Sequence, residues 1–160
     1  MNDVPSFFHI NLNCADFDRS RRFYELIGFE MVLDFEARGD PAFGASGLGP
    51  VLRLPDDCDG KAGLFMLKGD TNGLRLDLIE WRNPDVPPAP RGNLARPGFG
   101  RICLRTTDAD AVHARLTIAG YDPYTQPAAL VIGGSRLRVF CVEDPDGTVI
   151  EFMEFCGKAD

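Results

Sequence analysis

Two glutamates stand in rows of apolar side chains. Read with the two-residue period of a strand, Glu80 shares its face with Leu74, Leu76 and Leu78, and Glu151 shares its face with Val149, Met153 and Phe155. A carboxylate buried in such a row costs several kcal/mol unless a cation or a proton accompanies it. A single case is most simply a strand end frayed into water. Two at corresponding positions of a repeat point instead to a site, one able to pass a proton or hold a cation. His9 lies on the opposite face of its strand from Phe8, Ile10, Leu12 and Cys14, beside Asn11 and Asn13. Arg101, Cys103 and Arg105 take the equivalent face of a second, similar segment.

Residue counts narrow the chemistry. With only His9 and His113 present, a three-histidine metal site and an H-E-x-x-H helix are excluded. Cys14, Cys58, Cys103, Cys141 and Cys156 are odd in number, scattered and without a C-x-x-C pair, which fits reduced thiols and a cytoplasmic location. Cys14 and Cys103 read as small buried fillers, Trp81 as structural, and His113 as a surface residue of a helix. Gly44, Gly47 and Gly49 lack a following lysine and make no phosphate cradle. Arg136 and Arg138 alternate with Leu137 and Val139; they could reach a pocket, although a solvated strand face is the simpler role.

The elements that position these residues come in two copies. Phe8–Leu12 superposes on Gly100–Leu104 without a gap, at a constant offset of 92 residues that also relates Asp16 to Asp108 and Gly28 to Gly120. Asp16 and Asp108 are expected N-caps, and Gly28 and Gly120 expected helix-ending residues. Between them, Phe17, Ser20, Tyr24 and Ile27, and then Ala109, Val112, Leu116 and Ala119, form a helical stripe in each copy. Strands are expected at Phe29–Arg38, Gly63–Lys68, Leu74–Trp81, Ser135–Val142 and Thr148–Phe155, and a short helix within 40–59. The turns Asp70-Thr71-Asn72-Gly73 and Asp144-Pro145-Asp146-Gly147 precede the last strand of each copy. Residues 83–97 hold Pro84, Pro87, Pro88, Pro90 and Pro97 and read as a linker. The expected fold is α+β, a single domain (1–160) of two β-α-β-β-β modules, 5–82 and 98–156.

Composition excludes several partners. The chain has 160 residues, 44% hydrophobic and 26% charged, enough for a real core. Its net charge of −7, with dispersed basic residues, leaves no field to hold nucleic acid. The longest charge-free stretch, Pro123–Ser135, is interrupted by proline and glycine and is shorter than the roughly 20 apolar residues of a membrane span. Asp3 precedes the first basic residue, Arg19, so the start does not read as a signal peptide.

Several segments together resemble the vicinal oxygen chelate superfamily, which includes glyoxalase I, extradiol dioxygenases and bleomycin-resistance proteins. They are Phe8-His9-Ile10, Asp16 with Arg22-Phe23-Tyr24 and Gly28-Phe29, Leu78-Ile79-Glu80, and Glu143-Asp144-Pro145-Asp146-Gly147 through Glu151-Phe152. The resemblance runs from about Pro5 to Phe155 and implies paired modules curled around a shared cavity. It places metal ligands on the first and fourth strands of each module, at His9 and Glu80, then at Arg101 and Glu151. Arginine is always protonated and has no lone pair to donate, so His9, Glu80 and Glu151 remain as candidate metal ligands and Arg101 does not.

The resemblance implies a small-molecule enzyme of lyase, isomerase or dioxygenase type. A divalent Fe, Mn, Ni, Co or Zn would be its cofactor, with no nucleotide, and Glu80, Glu151 and Arg101 would be the catalytic residues. Arg101 favours a rival from another class. With a protonated His9 and two glutamates it balances charge without any metal, as in a bleomycin-resistance-like protein that sequesters a compound. A metal-free enzyme with Arg101 as an electrophilic clamp is the third reading. The partner in each is a small molecule, and relatives of this kind are often homodimers.

Overall fold

The computed structural model describes residues 3, 6–39, 43, 47–70, 73–85, 87, 94–95 and 97–159. The chain divides into two compact units, Met1–Pro88 and Ala89–Asp160. The boundary falls inside the proline-rich stretch, most of which lies outside the described residues, as do Thr71 and Asn72 of the first expected turn.

In the first unit, β1 (His9–Asn13) leads into α1 (Phe17–Leu26). Asp16 caps α1 by accepting the Arg19 N–H at 2.9 Å, and Gly28 turns the chain away at φ 104°, a region only glycine enters freely. The helix buries Phe17, Ser20, Phe23 and Tyr24. β2 (Phe29–Asp34), β3 (Asp59–Leu67) and β4 (Arg75–Asn83) complete a sheet of order β1-β4-β3-β2, in which β1 and β4 are parallel and the other pairs antiparallel. Phe65, Leu76 and Leu78 are fully buried, and the Phe17 and Phe65 rings meet at 6.1 Å. The strand expected over Phe29–Arg38 stops early. Asp34 accepts the Ala37 N–H at 3.1 Å, so the chain closes into α2 (Phe35–Arg38) and leaves through Gly39 at φ 65°. The short helix expected within 40–59 is α3 (Leu48–Leu52).

The second unit repeats the pattern. β5 (Ile102–Thr106) is followed by α4 (Ala109–Ile118), capped by Asp108 and closed by Gly120 at φ 88°. β6 (Ala128–Ile132), β7 (Ser135–Glu143) and β8 (Val149–Lys158) form a sheet of order β5-β8-β7-β6. Asp144 Oδ1 accepts the N–H groups of Asp146 and Thr148, which fixes the expected turn into β8. Two sequence expectations fail here. His113 is buried, its ring edge-to-face with Phe140 at 5.3 Å, because the stripe of α4 is wide enough to include the position one turn after Ala109. Cys103 is exposed rather than a buried filler, since it lies on the sheet face turned away from α4.

The repeat is not gapless. Phe17 N–H donates to Glu80 Oε2 at 2.7 Å, and Ala109 N–H donates to Glu154 Oε2 at 2.9 Å. Each carboxylate closes the first turn of its module's helix, so Glu80 corresponds to Glu154 and not to Glu151. The first strands and helices keep the offset of 92, whereas the last strands are related by 74. The segment between β2 and β3, with α2 and α3, accounts for the change.

Candidate functional site

The parallel register of β1 and β4 puts Asn11 beside Asp77 and Asn13 beside Ile79. The sheet face turned away from α1 therefore carries His9, Asn11 and Asn13 with Asp77, Ile79 and Trp81. Trp81 Nε1 donates to Asn13 Oδ1 at 3.0 Å, and Asn11 Nδ2 donates to the Asp77 main-chain oxygen at 3.1 Å. Asp77 Oδ1 is shielded from solvent and has no hydrogen-bond partner among the described residues. Burial pushes the Asp77 carboxyl above the usual carboxylate range, and the nearby charge of His9 partly offsets that. Glu80 is not on this face. Its carboxylate is committed to the first turn of α1, where the apolar row of Leu76 and Leu78 also points.

The corresponding face of the second unit carries Arg101, Cys103 and Arg105, then Glu151, Met153 and Phe155 of β8 and Cys141 of β7. Arg101 Nε lies 3.0 Å from Glu151 Oε1; the arginine side chain is 48% exposed and the glutamate 12%, so the cation spans from solvent to a shielded carboxylate. That hydrogen bond, and then the glutamate charge, raise the Arg101 pKa further. Glu151 stands between Cys103 and Cys141 in the register. Burial, a hydrogen bond to Glu151 and the Glu151 charge push the Cys103 thiol up to about 11. Burial and the same charge raise Cys141. The Arg105 guanidinium lies over the Phe155 ring at 5.1 Å.

Two pairs thus occupy matching places, His9 with Asp77 and Arg101 with Glu151. Sequence reasoning missed Asp77, although the signal was present. Leu76-Asp77-Leu78-Ile79-Glu80 aligns with Ile150-Glu151-Phe152-Met153-Glu154, acid over acid at both positions. Pairing Glu80 with Glu151 hid it.

The donor chemistry differs between the units. His9 and the unpartnered oxygen of Asp77 could contribute two ligands to a divalent metal. In the second unit the guanidinium occupies the carboxylate and offers no lone pair. No group of three histidine, cysteine or acidic side chains suited to a metal occurs among the described residues. The Arg101–Glu151 pair of the second unit does not fit a resident metal.

Comparison with known proteins accords with this construction. The family profile described as Glyoxalase/Bleomycin resistance protein/Dioxygenase superfamily matches residues 6–152. A glyoxalase family protein from Bacillus cereus is similar in structure with a TM-score of 0.75 at 18% identity, over 98% of this chain and 97% of that one. TnmS3, an antibiotic binding protein from Streptomyces sp. CB03234, gives 0.57 at 24% identity, over 96% and 98%. The trypanothione-dependent glyoxalase I of Leishmania major gives 0.59 at 16% identity, over 91% and 84%. No curated protein matches the sequence. With a profile spanning nearly the whole chain and a β-α-β-β-β pattern in each unit, the chain belongs to the Glyoxalase/Bleomycin resistance protein/Dioxygenase superfamily.

Proposed function

We propose that this protein binds a small molecule carrying an acidic oxygen without a resident divalent metal, and that Arg101 is its cationic contact. The Arg101–Glu151 ion pair carries this reading. It neutralises the carboxylate on which a metal would depend and leaves the rest of a half-exposed guanidinium free to face a ligand oxygen. The likeness to an antibiotic binding protein supports sequestration as the role.

The test has two parts. Untagged protein incubated in turn with Mn, Fe, Co, Ni and Zn should retain less than about a tenth of an equivalent by elemental analysis. A library of small acids and antibiotics, screened by thermal shift, should yield ligands whose affinity falls at least about tenfold in Arg101→Met. Stoichiometric metal, or ligands indifferent to that substitution, would overturn the reading.

A second reading rests on Asp77 Oδ1, a buried acceptor with no hydrogen-bond donor among the described residues. In it, His9 and Asp77 of the first unit supply two donors to a metal, and Asp77 moves the proton. The metal would supply Lewis-acid polarisation of adjacent substrate oxygens. Glu80 has no part in this, being held by the Phe17 N–H. Arg101→His distinguishes the two readings. Under the first, the unsubstituted protein takes up no nickel or zinc in calorimetry and the variant gains affinity, by exchanging a cation for a donor; under the second, the unsubstituted protein already binds the metal.

A further inference from the structure

The side of the second sheet that carries α4 bears a groove of about 520 Å³, lined by Ala129, Val131, Arg136, Leu137, Arg138 and Cys156. The register pairs Ala129 with Arg138 and Val131 with Arg136, so both arginines and two apolar side chains share one face. The Arg101–Glu151 pair lies on the opposite face. Arg138 is already matched by the Asp110 carboxylate, with Glu154 nearby. Arg136 makes no ion pair among the described residues. Its Nη2 lies 3.6 Å from where a side chain on Gly157 would begin, which sets the guanidinium over the end of β8 beside Cys156.

The first unit shows what such a place takes. There Arg82, two residues beyond Glu80 as Cys156 is beyond Glu154, puts its guanidinium at the matching end of β4. It is met by the Glu36 carboxylate of α2 at 3.0 Å and by Asp59 at 3.8 Å. That carboxylate comes from the long segment between β2 and β3. In the second unit β6 and β7 are joined only by Gly133 and Gly134, both at positive φ, and no intervening helix supplies an acid. Val131 is left 64% exposed beside a cation that has no ion pair among the described residues.

We infer that this groove is a second ligand site, taking a small amphipathic carboxylate whose head pairs with Arg136 and whose apolar tail lies along Ala129 and Val131. The ligand carboxylate stands where the first unit uses Glu36. One free guanidinium and an apolar wall favour a monoanion with a tail over a compact polyanion.

The experiment titrates the full 15N-labelled chain with sodium octanoate, and in parallel with octan-1-ol and inorganic phosphate. Saturable amide shifts confined to residues around Ala129, Val131, Arg136 and Cys156, at least about tenfold weaker with either control, are the expected result. Arg136→Met should weaken octanoate by a similar factor, and Val131→Ser should weaken it through the tail. Any of four outcomes overturns the site. They are no saturable shift at these residues, equal affinity in Arg136→Met, shifts that map to the Arg101 face, and ligand-free, concentration-dependent shifts along β6 that mark a second copy on the strand edge.

Discussion

At the scale of single residues, Glu151 governs its surroundings. It accepts from Arg101 and from Cys103, and its charge raises both neighbouring thiols. The Cys103 thiol, near 11, is protonated at neutral pH despite its exposure, so it reacts slowly with alkylating agents. Its alkylation rate by iodoacetamide, followed by mass spectrometry, should climb steadily as pH rises from 8 towards 11. Glu151→Gln removes the negative charge that holds the proton on sulfur and leaves only a weaker, neutral acceptor. At pH 8.5 that variant should alkylate Cys103 faster, by roughly three- to tenfold, given a factor of ten per pKa unit. An unchanged rate would separate Cys103 from Glu151 in solution.

At the scale of elements, the informative pairs join the last strand of each module to the helix. Glu80 and Glu154 each satisfy the first N–H of a helix that Asp16 or Asp108 caps one position earlier. A carboxylate there also meets the positive end of the helix dipole. Glu80→Ala and Glu154→Ala should each lower unfolding free energy by about 1 kcal/mol in urea titrations. Neither should alter ligand affinity at Arg101. Loss of ligand or metal binding in Glu80→Ala, with unchanged stability, would return Glu80 to the site and refute its role as a helix-closing residue. The unequal loops between β2 and β3 and between β6 and β7 are the other element-level difference. One brings Glu36 to Arg82, and the other leaves Arg136 without an ion pair among the described residues.

At the scale of the whole molecule, an acidic chain carries two small cores, each built between one helix and one sheet. Phe65 lies in the first against Phe17, and Phe140 in the second, stacked on Phe152 at 5.1 Å. Both are buried almost completely. Phe65→Ala and Phe140→Ala should each cost about 3–5 kcal/mol, since each removes a ring from a packed layer and leaves a cavity. Calorimetric melting of the two variants measures this directly. A loss under about 1 kcal/mol at either position would mean that its core is not packed as described. Among the described residues, no helix is long and apolar enough to cross a membrane, in keeping with the broken apolar runs of the sequence.

Features that arise from neighbours along the chain were legible in the amino-acid order alone. Asp16 and Asp108 cap helices, Gly28 and Gly120 end them, and strand parity separates His9 from Ile10 and Arg101 from Ile102, because each depends on bonds or side-chain directions within a few residues. That order also carried the family resemblance and singled out Arg101 and Glu151, which the structure joins in an ion pair. Only the tertiary structure decided which acid of β4 faces which way. Sequence parity already put Glu80 with Leu76 and Leu78, but that this face is the one covered by α1 follows from a hydrogen bond to Phe17, 63 residues away. Strand register put Asp77 on the face of His9, and packing buried His113 and left Cys103 exposed. Local propensity carries no information about those contacts. A carboxylate reads the same in a one-dimensional pattern whether a helix N–H, a guanidinium or nothing stands opposite it, and what stands opposite is set by strand register and by the length of the intervening loop.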